Sequence, residues 1–205
     1  MEEAVSIQDA ARELILRMDG LRIAMLPEPF DFAKLESFPV QTPRDKPKGF
    51  WWGCGPSWLD WVLSDMPSWV HPYAYRIDID ESRLLKLTMP EMIDDFTRTY
   101  SKPDNWFIKW QEVIATTGLS GIEISPYQWS RRLTPNNFWY YGWDCASGCV
   151  WDKTAIRAVL PFAEYNAIHD RFDFFSGETQ KSPDVPPSPE PIVEGKRKVN
   201  WKDAT

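Results

Sequence analysis

Along this chain, stretches in which apolar residues recur every three or four positions trade places with stretches in which they recur every second one. Ser6 and Asp9 precede Ala10–Met18, where Ala10, Leu14, Ile15 and Met18 share one side of a helix that Gly20 is placed to end. Pro27, Pro29, Pro39, Pro43 and Pro47 then exclude regular helix through residue 47, leaving extended chain, turns and room for a short strand such as Leu21–Leu26. Trp58, Leu59, Trp61, Val62 and Met66 fit one helical face that stops at Pro67. Tyr73, Tyr75, Ile77 and Ile79 alternate with Ala74, Arg76, Asp78 and Asp80, the pattern of a strand buried on one side. Glu81-Ser82-Arg83 turns into a second strand, Leu84–Leu87.

Thr88-x-x-Glu91 with Pro90 between reads as a capping box for a helix carrying Met92, Ile93, Phe96 and Tyr100. Asp104 opens the next helix, with Trp106, Phe107, Trp110, Val113 and Ile114 apolar and Gly118 at its end. Gly121–Ser125, Val150-Trp151 and Ile156–Leu160 complete the strands, the last two flanking a turn at Asp152-Lys153-Thr154. Strands come in pairs without regular strand–helix–strand alternation, so the expected class is α+β and not a doubly wound parallel sheet. No repeat of fixed period is visible.

With 205 residues, one domain with a substantial core is expected, read as an N-terminal helix over residues 1–20, a body over 21–178 and a tail over 179–205. Lys181–Glu194 holds five prolines in fourteen residues and little to bury, so the tail is expected to be disordered; its Ser188-Pro189-Glu190-Pro191 stretch fits a partner module that reads proline-rich ligands. Lys196-Arg197-Lys198 adds a short basic cluster. The net charge of −7 disfavours phosphate backbones and anionic membrane surfaces as general partners. No apolar run reaches the roughly 20 residues of a membrane span, and Met1–Gly20 is too charged for a signal peptide. The expectation is a soluble intracellular protein, cytoplasmic or nuclear, with its three cysteines reduced.

Gly53-Cys54-Gly55-Pro56-Ser57 lacks the third glycine of a dinucleotide fingerprint, and Pro56 removes an amide; it reads as a tight turn with Ser57 capping the Trp58 helix. Cys54, Cys145, Cys149, His71 and His169 are the soft metal donors, but the spacing of Cys145 and Cys149 fits zinc poorly and no metal is expected. Cys145 as a nucleophile would need His71 or His169 as base, and nothing in the sequence joins them. The densest chemistry lies in Gly121–Trp151, where F-W-Y-Y-G-W interleaves with Glu123, Arg131, Arg132, Asp144 and Ser147. These rings serve either as packed core or as the walls of a nucleotide pocket, a base stacking on them while a carboxylate takes a ribose hydroxyl.

The order of K-P-K-G-F-W at Lys46–Trp51, the Trp58 helix, Tyr73–Asp80, G-I-E-I-S-P-Y-Q-W from Gly121 and W-D-C-A-S-G-C-V-W-D from Trp143 resembles the ADP-ribosyltransferase-like fold. The similarity, over about residues 21–160, is to small bacterial, phage and fungal proteins distantly akin to the poly-ADP-ribose polymerases. The resemblance implies a split between two small sheets that grips NAD, and transfer of ADP-ribose to a protein or nucleic-acid acceptor through loss of nicotinamide. It assigns Glu123 and Asp144 as the carboxylates, Trp51, Trp52, Tyr140, Tyr141 and Trp143 as stacking rings, and Ser147 to the neighbourhood of the family's catalytic glutamate. A serine supplies no charge, so either carboxylate replaces that glutamate or turnover is lost. The first strand offers only Arg22 where related enzymes hold the ribose. A catalytically inactive nucleotide- or partner-binding module of the same fold is the alternative.

Overall fold

A computed structural model describes residues 6–175 as α+β: helices and short 3-10 segments packed on one mixed eight-stranded sheet. The proline-rich tail and the Lys196–Lys198 cluster lie outside the described residues. In chain order the elements are α1 (Ile7–Ile15), β1 (Arg22–Leu26), β2 (Phe50–Cys54), α2 (Ser57–Asp65), β3 (Tyr73–Ile79), β4 (Leu84–Leu87), α3 (Pro90–Tyr100), α4 (Trp110–Thr117), β5 (Gly121–Ile124), β6 (Ser147–Val150), β7 (Ile156–Asn166) and β8 (Arg171–Phe174).

The strand order is β4-β5-β6-β2-β1-β3-β7-β8, antiparallel throughout except for the parallel pair β4–β5. Where the resemblance implied two sheets, the strands form one, but the joint between its halves is narrow. Strand β1 pairs with β3 over four residues and with β2 over only two, Arg22 with Cys54 and Ile23 with Gly53. Beyond those pairs β1 and β2 diverge. The helices follow this division. Strand β5 and its neighbours bury Leu87, Ile122, Ile124 and Cys149 under α3, α4 and the 3-10 segment Pro135–Gly142, with Trp110, Trp139, Tyr140, Trp143 and Trp151 filling the layer. Strands β1, β3, β7 and β8 bury Ile23, Met25, Ala74, Ala163 and Phe172 under α1 and α2. The opposite face is covered in part by the connection from β1 to β2, through Phe30 and Leu35.

Local chemistry explains where the expected elements shift. Ser6 accepts a hydrogen bond from the Asp9 amide and starts α1 at Ile7, and α1 docks on β8 as part of the body. Ser57 is the first helical residue of α2 and not its cap; its hydroxyl donates instead to the Ala146 carbonyl at 2.5 Å. Thr88 caps nothing, because Met89 occupies the cap position of α3 and the Thr88 hydroxyl turns to Met92 Sδ. The helix expected from Asp104 begins only at Trp110, since Asn105 takes a left-handed backbone (φ 57°) and Ile108 bridges to Arg44 and Ser101. Strand β6 ends at Val150, and Trp151 is buried beyond it, its indole donating to the Leu119 carbonyl. Strand β7 runs on past the expected Leu160 through Pro161, which the ladder accommodates at a register shift opposite Ala74/Tyr75.

Candidate functional site

A cleft of about 360 Å³ opens where β1 and β2 part, between the two helical layers. Its walls are Ile23 and Met25 of β1, Trp51 of β2, Trp58 and Trp61 of α2, and Trp69 beyond it; Lys46, Asp144, Cys145 and Ser147 supply the polar edge. Gly53 permits this arrangement: a Cβ there would meet Trp58 Cβ at 2.6 Å, so only glycine lets α2 approach β2 so closely. The Leu21 carbonyl accepts from the Gly55 amide and Ile23 lies opposite Gly53, so the next hydrogen-bonded pair of this ladder would be Met25 with Trp51. That pair is not formed. Both residues line the cleft, and their main-chain groups on that side are directed toward it.

Asp144 is held by Arg132, whose Nη2 donates at 3.1 Å, and faces Lys46 Nζ at 3.6 Å. Lys46 also sits 5.8 Å from the Trp51 ring centroid. Arg132 is flanked by the exposed rings of Trp129 and Tyr141. Among the described residues two donors, Arg132 Nε and Trp143 Nε1, are buried without a hydrogen-bond partner, each directly behind a lining residue, Asp144 and Trp51 respectively. Burial pushes the Cys145 thiol up to about 11, with the Ser147 hydroxyl pulling the other way, which favours the neutral thiol at the cleft wall.

Glu123 belongs to the other face of the sheet. In the register of β2, β6 and β5, Trp52, Gly148 and Glu123 form one transverse row, whereas Trp51, Cys149 and Ile122 form the next and point the opposite way. Gly148 has no side chain, and the Trp52 indole lies across it: a Cβ would fall 2.2 Å from Trp52 Cζ2. Trp52 Nε1 therefore reaches Glu123 Oε2 at 3.1 Å. Arg22 closes the carboxylate from the next strand, Nε to Oε2 at 2.6 Å and Nη2 to Oε1 at 3.1 Å, and its Nη2 continues to Glu81 at 2.9 Å. This paired, buried glutamate raises the Arg22 pKa. Lys86 and then Arg22 hold the Glu81 carboxyl down at about 2. Burial, reinforced by the Glu123 charge, pushes the Cys54 thiol up to about 12.

The eight residues singled out from sequence thus part company. Trp51, Asp144 and Ser147 meet at the cleft. Trp52 contributes only as part of β2, its ring being committed to Glu123 on the reverse face. Tyr140 and Trp143 are sealed in the core: the Tyr140 hydroxyl accepts from the Gln128 amide, and the Trp143 carbonyl accepts from Tyr127. Tyr141 is exposed beside Arg132. Sequence reasoning missed Lys46, Trp58, Trp61 and Trp69. A signal existed in α2, where the five apolar positions Trp58, Leu59, Trp61, Val62 and Leu63, at about 100° per residue, spread over roughly 200°, wider than a core-facing stripe needs. Leu59 and Val62 fill the core, and the two tryptophans at the flank face the cleft. Among the described residues no group of three or more His, Cys, Asp or Glu side chains is placed to hold a metal ion, and no helix is long and apolar enough to cross a membrane.

Comparisons with protein-family models, with curated proteins and with solved structures returned no match.

Proposed function

We propose that this protein is a binding module whose cleft between the diverging strands β1 and β2 takes a planar ligand of nucleoside size. One observation carries this reading: the Met25–Trp51 pair is left unmade and the gap is walled by indoles with Asp144, Lys46 and Ser147 at its edge. Flat rings supply stacking area, the open main-chain groups supply directional hydrogen bonds, and Asp144 is placed to accept from a sugar hydroxyl. A volume near 360 Å³ lies at the small end of the roughly 300–1,000 Å³ range of ligand pockets, suited to one nucleoside unit. NAD, as the similarity to ADP-ribosyltransferases implies, would enter by one half only.

Transfer of ADP-ribose is the second reading, supported by Asp144 alone, since both Glu123 oxygens are occupied by Arg22 and Trp52 on the reverse face. Calorimetric titration with NAD, ADP-ribose and nicotinamide riboside tests the module. Trp51→Ala should weaken binding at least about tenfold by removing a stacking wall, and Glu123→Gln should leave affinity unchanged; no binding of any of the three overturns the proposal. Biotinylated NAD incubated with protein and lysate tests the second reading, which requires label in the wild type and none in Asp144→Asn.

A further inference from the structure

A second cavity, of about 490 Å³, lies between α3, the connection that carries Asn105 and the stretch from Arg131 to Asn137. The residues lining it all carry polar side chains, Asp94, Thr97, Arg98, Asn105, Arg131, Thr134, Asn136 and Asn137, although their stems present more apolar than polar surface to it. The interior of the group is already satisfied. Asp94 accepts from Arg131 Nε and from Asn137 Nδ2, and buried Asn137 accepts from the Thr97 hydroxyl and donates to Thr134. The outer members keep spare capacity. Asn105 uses its Oδ1 on the Ser101 hydroxyl, leaving its amide hydrogens open, and the Asn136 side chain makes no hydrogen bond among the described residues.

Each edge of this groove continues directly into an aromatic ring. Trp106 follows Asn105 and Phe138 follows Asn137, and the two rings stack in parallel, centroids 4.6 Å apart at 9°. Phe138 covers one face of the indole, so the 51% exposure of Trp106 belongs largely to its free face and edge. The platform is pinned: the Asn105 carbonyl accepts from the Trp139 amide at 2.9 Å, and its own amide donates to Lys102. A flat apolar ring beside a trough of amides, hydroxyls and a carboxylate matches a ligand with one apolar C–H face and a rim of hydroxyls.

We propose that this groove is a carbohydrate-binding site for a neutral pyranose, the sugar ring lying on Trp106 and its hydroxyls meeting the free side-chain amides of Asn105 and Asn136. Charge selects the class. Both guanidinium groups lining the groove face carboxylates, Arg131 with Asp94 and Arg98 with Asp95, and Glu91 flanks Arg131, so a phosphate meets no unpaired guanidinium among the described lining residues. A base stacked on Trp106 would therefore lack an anchor for its backbone.

The full chain, labelled with ¹⁵N and observed through the Trp106 indole N–H resonance, is titrated with methyl glycosides of glucose, galactose, mannose and N-acetylglucosamine, with their disaccharides, and with a dT oligonucleotide. At least one sugar should shift the Trp106 signal with saturation below about 10 mM, a range typical of weak single-site binding. Asn136→Ala, at an exposed position, should reduce affinity at least threefold while the thermal midpoint stays unchanged, and Trp106→Ala should abolish the saturable shifts followed at the Asn105 and Asn136 side-chain amide signals. No sugar-dependent shift overturns the site, and so does a tighter response to the oligonucleotide than to every sugar.

Discussion

At the scale of single residues, the arrangement turns on glycines that let larger side chains cross them. Gly148 is covered by Trp52, and Gly148→Ala forces a methyl group into an indole that cannot withdraw without losing Glu123. We expect a loss of about 2–3 kcal/mol, measurable by urea unfolding, as over-packing of a filled site typically costs. Glu123 is held on both oxygens by Arg22 and Trp52. Glu123→Gln leaves the Arg22 guanidinium with only Glu81, and should destabilise by about 2–4 kcal/mol; adding Arg22→Met should recover a good part of it, because a double replacement removes the stranded charge. Simple additivity of the two changes would contradict this pairing. The three thiols are similarly passive: Cys54, Cys145 and Cys149 all have pKa values raised first by burial. In native protein at pH 8 they should react with a thiol reagent far more slowly than in urea, where all three become accessible.

Elements were legible in the sequence where one periodicity was unopposed. Strand β3 announced itself because Ile77 and Ile79 are buried while Arg76 and Asp78 are wet, and α1 because one face alone is apolar. Helix α4 was read too early, since Trp106 and Phe107 carry a helical rhythm that the left-handed Asn105 and the Ile108 bridges interrupt; periodicity records apolar spacing and is blind to a stacked surface pair. The F-W-Y-Y-G-W run posed a choice between core and pocket, and the answer divides it: Trp139, Tyr140 and Trp143 are interior, Tyr141 is not. Of the site, Trp51, Asp144 and Ser147 were legible from their aromatic and polar company. The placement of Glu123 was not, because which face a strand residue takes depends on the register of β5 with β6, a contact between distant segments. At this scale the helix–strand fit is testable through Gly53→Ala, whose added methyl would press on Trp58 Cβ. It should push α2 from β2, lower the melting temperature by several degrees and change the emission of the cleft tryptophans.

Over the whole molecule, carboxylates held below their ordinary range set the response to acid. Glu81 is lowered from 4.5 to about 2 by Lys86 and Arg22, Asp80 by the Ser82 hydroxyl, and Asp173 by Asn166 and Arg171; burial pushes Asp94 up, but Arg131 and Asn137 outweigh it. A depressed folded-state pKa means that the unfolded chain takes up protons first. The stabilisation is therefore complete above the ordinary carboxylate range and falls away as pH drops through it toward about 2. Thermal midpoints measured from pH 7 downward should hold until about pH 5 and then decline, with added salt reducing the effect, as expected for pairs that are largely exposed.

The two-pair joint between β1 and β2 has a consequence for how the protein comes apart. The chain passes over that joint on going from β1 to β2, from β2 to β3, from β3 to β4 and from β6 to β7, so the halves are laced together even where they barely touch. No single cut separates them into pieces that each own a complete sheet, and neither half should survive as a proteolytic fragment. The weakest line of hydrogen bonding thus runs through a body that must melt as one.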